Sequence, residues 1–302
     1  MGRPGEGGGV IPPEGVAVDW SSARRASYQI TQSFRYEYPA PIRDLNHRLV
    51  VIPPERFGDQ RRLRHRISAT PTLDGVRFED RQDRFGNVIV DAFAPRVSSA
   101  IEFLAEISVE RSSDQPNRLP DGWQKDRYLL EPTRLTAADA PIDRAADELA
   151  DSAAWGLELA DRINDWVYQS MTYKGGVTGV RTTASEALAQ GYGVCQDYAH
   201  VMLAVCRSAE LPARYVSGHL VGQGGTHAWV EVVLPAGDGT GDGIAWAFDP
   251  THASRGGLEY VTIAVGADYS DVAPTSGTYL SRVAGRLMTH KRVTLTNLEY
   301  AV

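Results

Sequence analysis

Hydrophobic and polar positions alternate with a period of two in the first third of the chain. Five segments carry this pattern: YQITQSFRYEYP, HRLVVIPP, LRHRISATP, FGNVIVDAF and AIEFLAEISVE. Proline, glycine, aspartate and asparagine separate them at short intervals, as in the turns between antiparallel strands. The repetition predicts an N-terminal antiparallel β-sandwich at 27–112. Residues 1–26 ahead of it, rich in glycine and proline at their start, are predicted to form a flexible tail.

After a connector at 113–140, the hydrophobic positions recur every three to four residues instead of every two. One helical face carries the apolar positions Leu149, Ala153, Leu157, Ala160, Ile163, Val167 and Met171. This spacing predicts an amphipathic helix, which Gly156 can divide into two.

Local capping signals predict two further helices. Thr183 and Glu186 have the spacing of a capping box, and Gly191 suits a helix C-terminus. The next helix is predicted from Cys195 to Ala209. Three strand-like segments follow it: ARYVSGHLVG, HAWVEVVLP and IAWAFDP. Helices followed by strands, rather than strict alternation, favour an α+β catalytic domain at 141–302.

Cys195 stands at the predicted start of a helix, directly after the glycine-containing turn Gly191-Tyr192-Gly193-Val194. The free N–H groups of a helix N-terminus carry partial positive charge, which favours a thiolate and can stabilise an oxyanion. Cys206 lies eleven residues later in an apolar run, about 16 Å away along one helix. That separation exceeds the reach of a disulfide, so we interpret Cys206 as a core residue.

A nucleophilic thiol needs a base and an acceptor that orients the base. His227 opens a predicted strand after a glycine-rich loop, where its side chain can be exposed and aimed. Asp249 ends the strand IAWAFDP just before a proline. Cys195, His227 and Asp249 therefore form a candidate catalytic triad.

A zinc site made of the same three side chains is the competing interpretation. The spacing offers it little support, since the chain has no Cys-x-x-Cys and no His-x-x-x-His. Calcium is also disfavoured, because no twelve-residue loop with alternating acids occurs. We expect no cofactor and no metal ion.

Composition excludes several other classes of protein. Thirty-eight acidic residues and 31 Lys plus Arg give a formal net charge of −7, which argues against nucleic-acid binding. No apolar run approaches the roughly 20 residues that cross a bilayer. The first fifteen residues lack the apolar stretch of a secretory signal. We expect a cytoplasmic protein with no membrane or nucleic-acid partner.

Three blocks, GVCQDYAHVMLAVCRSAELPARYVSGHL, THAWVEVVLP and WAFDPTH, resemble the bacterial transglutaminase-like superfamily. The segment at 263–279 and the upstream β region are also similar to those proteins. The resemblance implies a papain-like core in which Cys195 is the nucleophile, His227 the general base and acid, and Asp249 the residue that orients it. Each motif position holds the expected residue type.

The chemistry predicted for this triad is acyl transfer from an amide through a thioester. We expect a peptide, protein or small amide as substrate and favour hydrolysis of the thioester by water. Amide formation with an amine is the alternative, and a non-catalytic partner-binding module is the alternative of another class. Tyr173 is a candidate second oxyanion donor, with an aromatic packing role as the alternative. Trp229 is a candidate wall of the cleft.

Overall fold

Strands occupy most of the chain ahead of the helices. The computed structural model of the protein describes residues 18–71, 75–113 and 116–300, so most of the predicted tail lies outside the described residues. The first seven strands are β1 (Ala23–Glu37), β2 (Ile42–Ile52), β3 (Arg56–Phe57), β4 (Gln60–Thr70), β5 (Arg77–Gln82), β6 (Val88–Val97) and β7 (Ala100–Ser112). Buried and more exposed side chains alternate along much of β1 and β7, as the sequence predicts.

The remaining elements combine helices with short and long strands. They are β8 (Asn117–Leu119), α1 (Ala140–Ser152), α2 (Leu157–Ser170), β9 (Thr172–Tyr173), α3 (Ala184–Gln190), β10 (Tyr192–Gly193), α4 (Cys195–Ser208), β11 (Ala213–Leu220), β12 (His227–Pro235), β13 (Gly243–Asp249), β14 (Ser254–Arg255), β15 (Tyr260–Gly266), α5 (Tyr269–Val272), β16 (Thr275–Leu280) and β17 (Arg286–Tyr300). Within the described ranges, no helix combines the length and apolar character that crossing a bilayer requires.

Local interactions explain where the helices begin and end. The Thr183 hydroxyl accepts a hydrogen bond from Glu186 N at 3.2 Å, and the Glu186 carboxylate accepts one from Thr183 N at 2.9 Å. This is the predicted capping box of α3. Gly191 ends α3 with a left-handed φ of 68°. Gly156 precedes α2 with a φ of 116°, so the predicted long helix is divided into α1 and α2.

An antiparallel sheet in the order β14-β13-β12-β11-β15 supports the helices, and β8 pairs with β13. Helix α4 packs on this sheet and is buried from Asp197 to Arg207. Ala228, Val230 and Val232, which alternate along β12, share one hydrophobic core with α4. Because His227 is the first residue of β12, this packing places it near the N-terminal end of α4.

The C-terminal strands belong to the β-sandwich rather than to the helical core. Strand β17 pairs with β1 in the sheet β17-β1-β7-β4-β3, and β16 pairs with β2 in the sheet β16-β2-β6-β5. The predicted catalytic domain at 141–302 therefore extends too far. The sheet that the segment 275–300 joins depends on hydrogen bonds to strands more than 200 residues earlier.

The connector also has structure of its own. Besides β8, it contains two 3₁₀ turns at Trp123–Lys125 and Arg127–Leu129. Trp123 and Leu129 are buried in a small cluster with Val233 of β12. The connector thus covers the face of the sheet that lies opposite α4.

Candidate active site

Cys195 is the first residue of α4 and is half-buried. The turn before it is closed by Asp197, whose carboxylate accepts hydrogen bonds from Val194 N at 2.8 Å and from the Thr178 hydroxyl at 2.6 Å. A Cβ on Gly193 would lie 2.6 Å from Asp197 Cβ, so this close approach needs a glycine. The thiol is therefore held at the helix end, as the sequence predicts.

Cys206 lies in the core. Its side chain is fully buried, and burial raises the pKa of its thiol to about 12. It stays a neutral thiol at physiological pH, which agrees with the interpretation from the sequence.

The His227 imidazole lies between Cys195 and Asp249. Its Nε2 atom is 2.7 Å from Asp249 Oδ2, and it also forms a hydrogen bond with the Cys195 thiol. Since Nε2 contacts the carboxylate, Nδ1 is the ring nitrogen that remains for the sulfur. The structure brings the three predicted residues together in the order thiol, imidazole, carboxylate.

The electrostatics of this group favour charged partners. Burial lowers the pKa of His227, but its hydrogen bonds to Asp249 and Cys195 outweigh burial and raise the pKa to about 9. Burial likewise raises the pKa of Asp249, but the hydrogen bond and charge of His227 and of His252 bring it down to about 2. The imidazole therefore lies between a carboxylate and a sulfur, where it can accept or donate a proton.

Asp249 is 0% exposed and has hydrogen-bond partners in addition to His227. Its Oδ2 atom lies 2.7 Å from His252 Nδ1 and accepts a hydrogen bond from the Tyr260 hydroxyl at 2.8 Å. The Thr251 N–H donates to its other oxygen at 2.9 Å. These contacts fix the carboxylate so that it can orient the imidazole.

His252 and Tyr260 were not assigned roles from the sequence. His252 follows Asp249 by three residues, and that spacing is the one local signal that could have indicated it. Gln223 Nε2 lies 3.0 Å from His252 Nε2. The Nδ1–H of His252 donates to Asp249. Tyr260 comes from β15, and only the sheet brings it to Asp249.

Tyr173 lies in the same cleft as Cys195. Two-residue strands β9 and β10 pair in parallel and place Tyr173 opposite Gly193, two residues before Cys195. Its side chain is 58% exposed, and partial burial together with the charge of Cys195 raises the pKa of its hydroxyl. The hydroxyl is thus a neutral donor near the sulfur.

Trp229 does not wall the Cys195 cleft, which corrects the prediction. It is 1% exposed, and its ring stacks behind His227 at a centroid distance of 6.1 Å. It lines a separate cavity of about 630 Å³ with Phe57 and Arg111 of the sandwich. His227 and Trp229 lie on the same face of β12, but of these two residues His227 lines the cleft and Trp229 does not.

The cleft around Cys195 has a volume of about 380 Å³ and is lined by both parts of the molecule. Strand β1 contributes Phe34, and β17 contributes Leu287, Thr289 and Lys291. The N-terminal sandwich, completed by the C-terminal strand, therefore forms one side of the candidate active site.

His219 of β11 is fully buried. Its Nδ1 atom lies 3.1 Å from the carbonyl oxygen of Gly225, and burial lowers its pKa to about 4. Its neutral imidazole thus contacts the backbone, whereas the His227 imidazole contacts the Cys195 thiol.

The competing metal site combined Cys195 with His227 and Asp249. Among the described residues, the group whose ligand atoms lie within 4.8 Å of one another is instead His227, Asp249 and His252. These atoms already form the hydrogen bonds around Asp249 Oδ2. The sulfur lies outside this group and on the cleft side of His227.

Comparisons with known proteins match two regions of the chain. Residues 143–248 match the transglutaminase-like superfamily, and residues 28–110 match the bacterial transglutaminase-like N-terminal region. The uncharacterized protein ML0607 of Mycobacterium leprae is 29% identical over 82% of this chain and 91% of its own length. The uncharacterized protein Rv2569c of Mycobacterium tuberculosis is 26% identical over 83% of this chain and 86% of its own.

One solved structure supports the fold over nearly the whole molecule. A protein from Cytophaga hutchinsonii described as a "Putative Cysteine Protease" superposes with a TM-score of 0.69 at 20% identity. The match covers 92% of this chain and 93% of that one. The predicted α+β architecture is confirmed, and the chain consists of a bacterial transglutaminase-like N-terminal region at 28–110 followed by a transglutaminase-like core at 143–248, which holds the groups of a cysteine-dependent enzyme.

Proposed function

We propose that the protein is a cysteine-dependent hydrolase of amide bonds in peptides, proteins or small amides. The observation that carries this proposal is the contact of the His227 imidazole with both the Cys195 thiol and the buried Asp249 carboxylate. The thiol at a helix N-terminus supplies the nucleophile, and the raised pKa of His227 supplies an acid for the leaving group.

In the first half of the reaction the Cys195 thiolate attacks the amide carbonyl, and a carbon–sulfur bond forms. The Cys195 N–H has no partner within its helix because it lies in the first turn, so it can donate to the oxyanion. The Tyr173 hydroxyl is the second donor. His227 gives its proton to the nitrogen, the carbon–nitrogen bond breaks, and an amine leaves a thioester behind.

In the second half, neutral His227 takes a proton from water, and the hydroxide attacks the thioester. The carbon–sulfur bond breaks, the carboxylic acid leaves, and the thiolate and imidazolium are restored. Water is favoured as the acceptor because it is in large excess and Tyr173 stands exposed at the mouth of the cleft. An amine in place of water would make the enzyme an amide-forming transglutaminase.

The test is incubation with a glutamine-containing peptide, with and without a primary amine, followed by mass analysis. Hydrolysis predicts conversion of the amide to the acid in both reactions, whereas transfer predicts the amine adduct when amine is present. Cys195→Ala and His227→Ala should abolish the product. His65→Ala, which changes an exposed histidine of β4, is the matched control and should retain it.

A thiol-reactive probe separates an enzyme from a non-catalytic binding module. We expect labelling of Cys195 at neutral pH, and we expect His227→Ala to remove it. Labelling that is unaffected by His227→Ala, or the absence of acyl products across a broad panel of peptides and small amides, would overturn the proposed function.

A further inference from the structure

Lys291 is a cation inside the cleft of Cys195. It comes from β17, the strand that the C-terminal segment adds to the sandwich, and it lines the cleft with His227 and Thr226. Its Nζ atom lies 3.3 Å from Thr226 Oγ1 and 5.4 Å from the centre of the Phe34 ring. The ammonium is thus next to the residue that precedes the catalytic imidazole.

Lys291 has a hydroxyl and an aromatic ring for partners, but no counter-ion. Among the described residues, no carboxylate lies within 4.0 Å of its Nζ atom, and no acidic side chain lines the cleft. Burial lowers the pKa of Lys291 to about 8, so the group still carries a charge for most of the time at neutral pH. A partly buried charge without a partner is unfavourable, and an anion entering the cleft would relieve that cost.

The orientation of Lys291 follows from its strand. Successive side chains of a strand point to opposite faces, and the neighbouring Arg292 is exposed on the other face of β17. Lys291 and Arg292 are therefore adjacent in sequence, but Lys291 lines the cleft and Arg292 does not.

We propose that Lys291 binds a carboxylate of the substrate beside the amide that Cys195 attacks. This inference rests on the proposed function, because it requires the substrate to occupy the Cys195 cleft. The ammonium donates to the carboxylate, and the Thr226 hydroxyl holds the ammonium in place. The carboxylate is either the C-terminal group of a peptide or an acidic side chain, and the sandwich thus contributes specificity to the catalytic core.

The test uses alkylating probes that react with Cys195 and differ only in charge. N-bromoacetyl-glycine carries a terminal carboxylate, and N-bromoacetyl-glycinamide is its neutral counterpart. N-bromoacetyl-glutamate α-amide carries a side-chain carboxylate, and N-bromoacetyl-glutamine α-amide is its neutral counterpart. In each reaction the thiolate forms a carbon–sulfur bond and bromide leaves. Mass analysis of peptides confirms that Cys195 is the labelled residue.

We expect the acidic member of at least one pair to label Cys195 faster than its neutral counterpart, and the pair with the larger preference identifies the source of the carboxylate. Lys291→Gln should reduce that preference by about threefold or more, because one charge is removed from a half-buried site. Lys291→Arg should retain it. Arg292→Gln removes the same charge from the other face of β17 and is the matched control that should leave the preference unchanged.

The outcomes separate the two proposals. Equal preferences in the wild type and in Lys291→Gln, with labelling that still requires His227, would overturn the role of Lys291 alone. Labelling that does not require His227 would overturn the proposed function, whatever the charge preference. Thermal unfolding of Lys291→Gln checks that the variant is folded. If it is not folded, the comparison of Lys291→Arg with Arg292→Gln decides. A charge preference that is lost in Lys291→Arg would then count against the proposal.

Discussion

Gln60 of the sandwich and Thr262 of the core sheet form a closed pair of hydrogen bonds. The Gln60 amide donates to Thr262 O at 2.8 Å, and Thr262 N donates to the Gln60 carbonyl oxygen at 2.9 Å. Asn87 forms the same pair with the backbone of Val265, at 2.7 and 2.9 Å. Strand β15 is an edge of its sheet, so these two amides occupy backbone groups that a further strand would otherwise bind.

The same segment leads to the candidate active site. Arg111 donates to the carbonyl oxygens of Gly257 and Tyr260, and Tyr28 donates to that of Leu258 at 2.6 Å. The Tyr260 hydroxyl in turn donates to Asp249. The sandwich therefore holds the stretch of chain that helps to fix the Asp249 carboxylate.

Replacement of Gln60 by alanine should destabilise the protein. The variant leaves the buried N–H and carbonyl of Thr262 without their partners, which costs about 1–3 kcal/mol for an unsatisfied buried polar group. Chemical denaturation measures the change in the free energy of unfolding. Gln82→Ala, at an exposed position of β5, is the control and should have little effect. Equal stabilities of the two variants would contradict the role of Gln60.

The stability that His227 contributes should depend on pH. Folding raises its pKa from 6.5 to about 9, so its contribution is complete below pH 6.5 and is lost as the pH rises towards 9. Folding lowers the pKa of Asp249 from 3.8 to about 2, so that carboxylate contributes above pH 3.8 and loses its contribution as the pH falls towards 2.

The measurement is the difference in unfolding free energy between the wild type and His227→Gln across this pH range. The difference should be largest between about pH 4 and 6.5 and should shrink on the alkaline side. The matched control is His65→Gln, which changes an exposed histidine far from Asp249 in sequence. A difference that grows between pH 6.5 and 9 would show that the imidazole is not held in its charged form.

Tyr173→Phe should slow acyl transfer without affecting the nucleophile. Loss of one oxyanion donor typically costs about 10²–10³-fold in rate, and a partly exposed donor should lie at the lower end. Alkylation of Cys195 forms no oxyanion, so its rate should be unchanged. Tyr168→Phe, at another exposed tyrosine, is the control. Equal turnover by both variants would assign Tyr173 the alternative role of aromatic packing.

Gly218→Ala should disturb the site through Trp229. Gly218 lies opposite His227 in the β11–β12 pairing. A Cβ there would lie 2.1 Å from Val261 O and 2.5 Å from the Trp229 ring, which packs behind the imidazole. We expect a loss of about 1–3 kcal/mol of stability from overpacking. Gly224→Ala, where a Cβ meets nothing within 4 Å, should be tolerated. Equal melting temperatures would contradict this account.

Much of the site could be predicted from local sequence. The capping box of α3, the glycine that ends it, the helix start at Cys195 and the strand start at His227 each depend on interactions within a few residues. Asp249 was found because it ends a strand before a proline. His252 and Tyr260 were missed, because their contact with Asp249 depends on how a turn and an edge strand are placed.

The sequence by itself determined five strands of the sandwich, the helices between 149 and 209 and the chemical identity of Cys195, His227 and Asp249. Period-two alternation, capping and turn residues act over short distances, so they can be recognised in the sequence. Only the tertiary structure decided that 275–300 returns to the sandwich, that Trp229 packs behind the imidazole and that Lys291 enters the cleft. Those outcomes depend on strand register and on contacts such as Gln60 with Thr262, 202 residues apart, which no local pattern encodes.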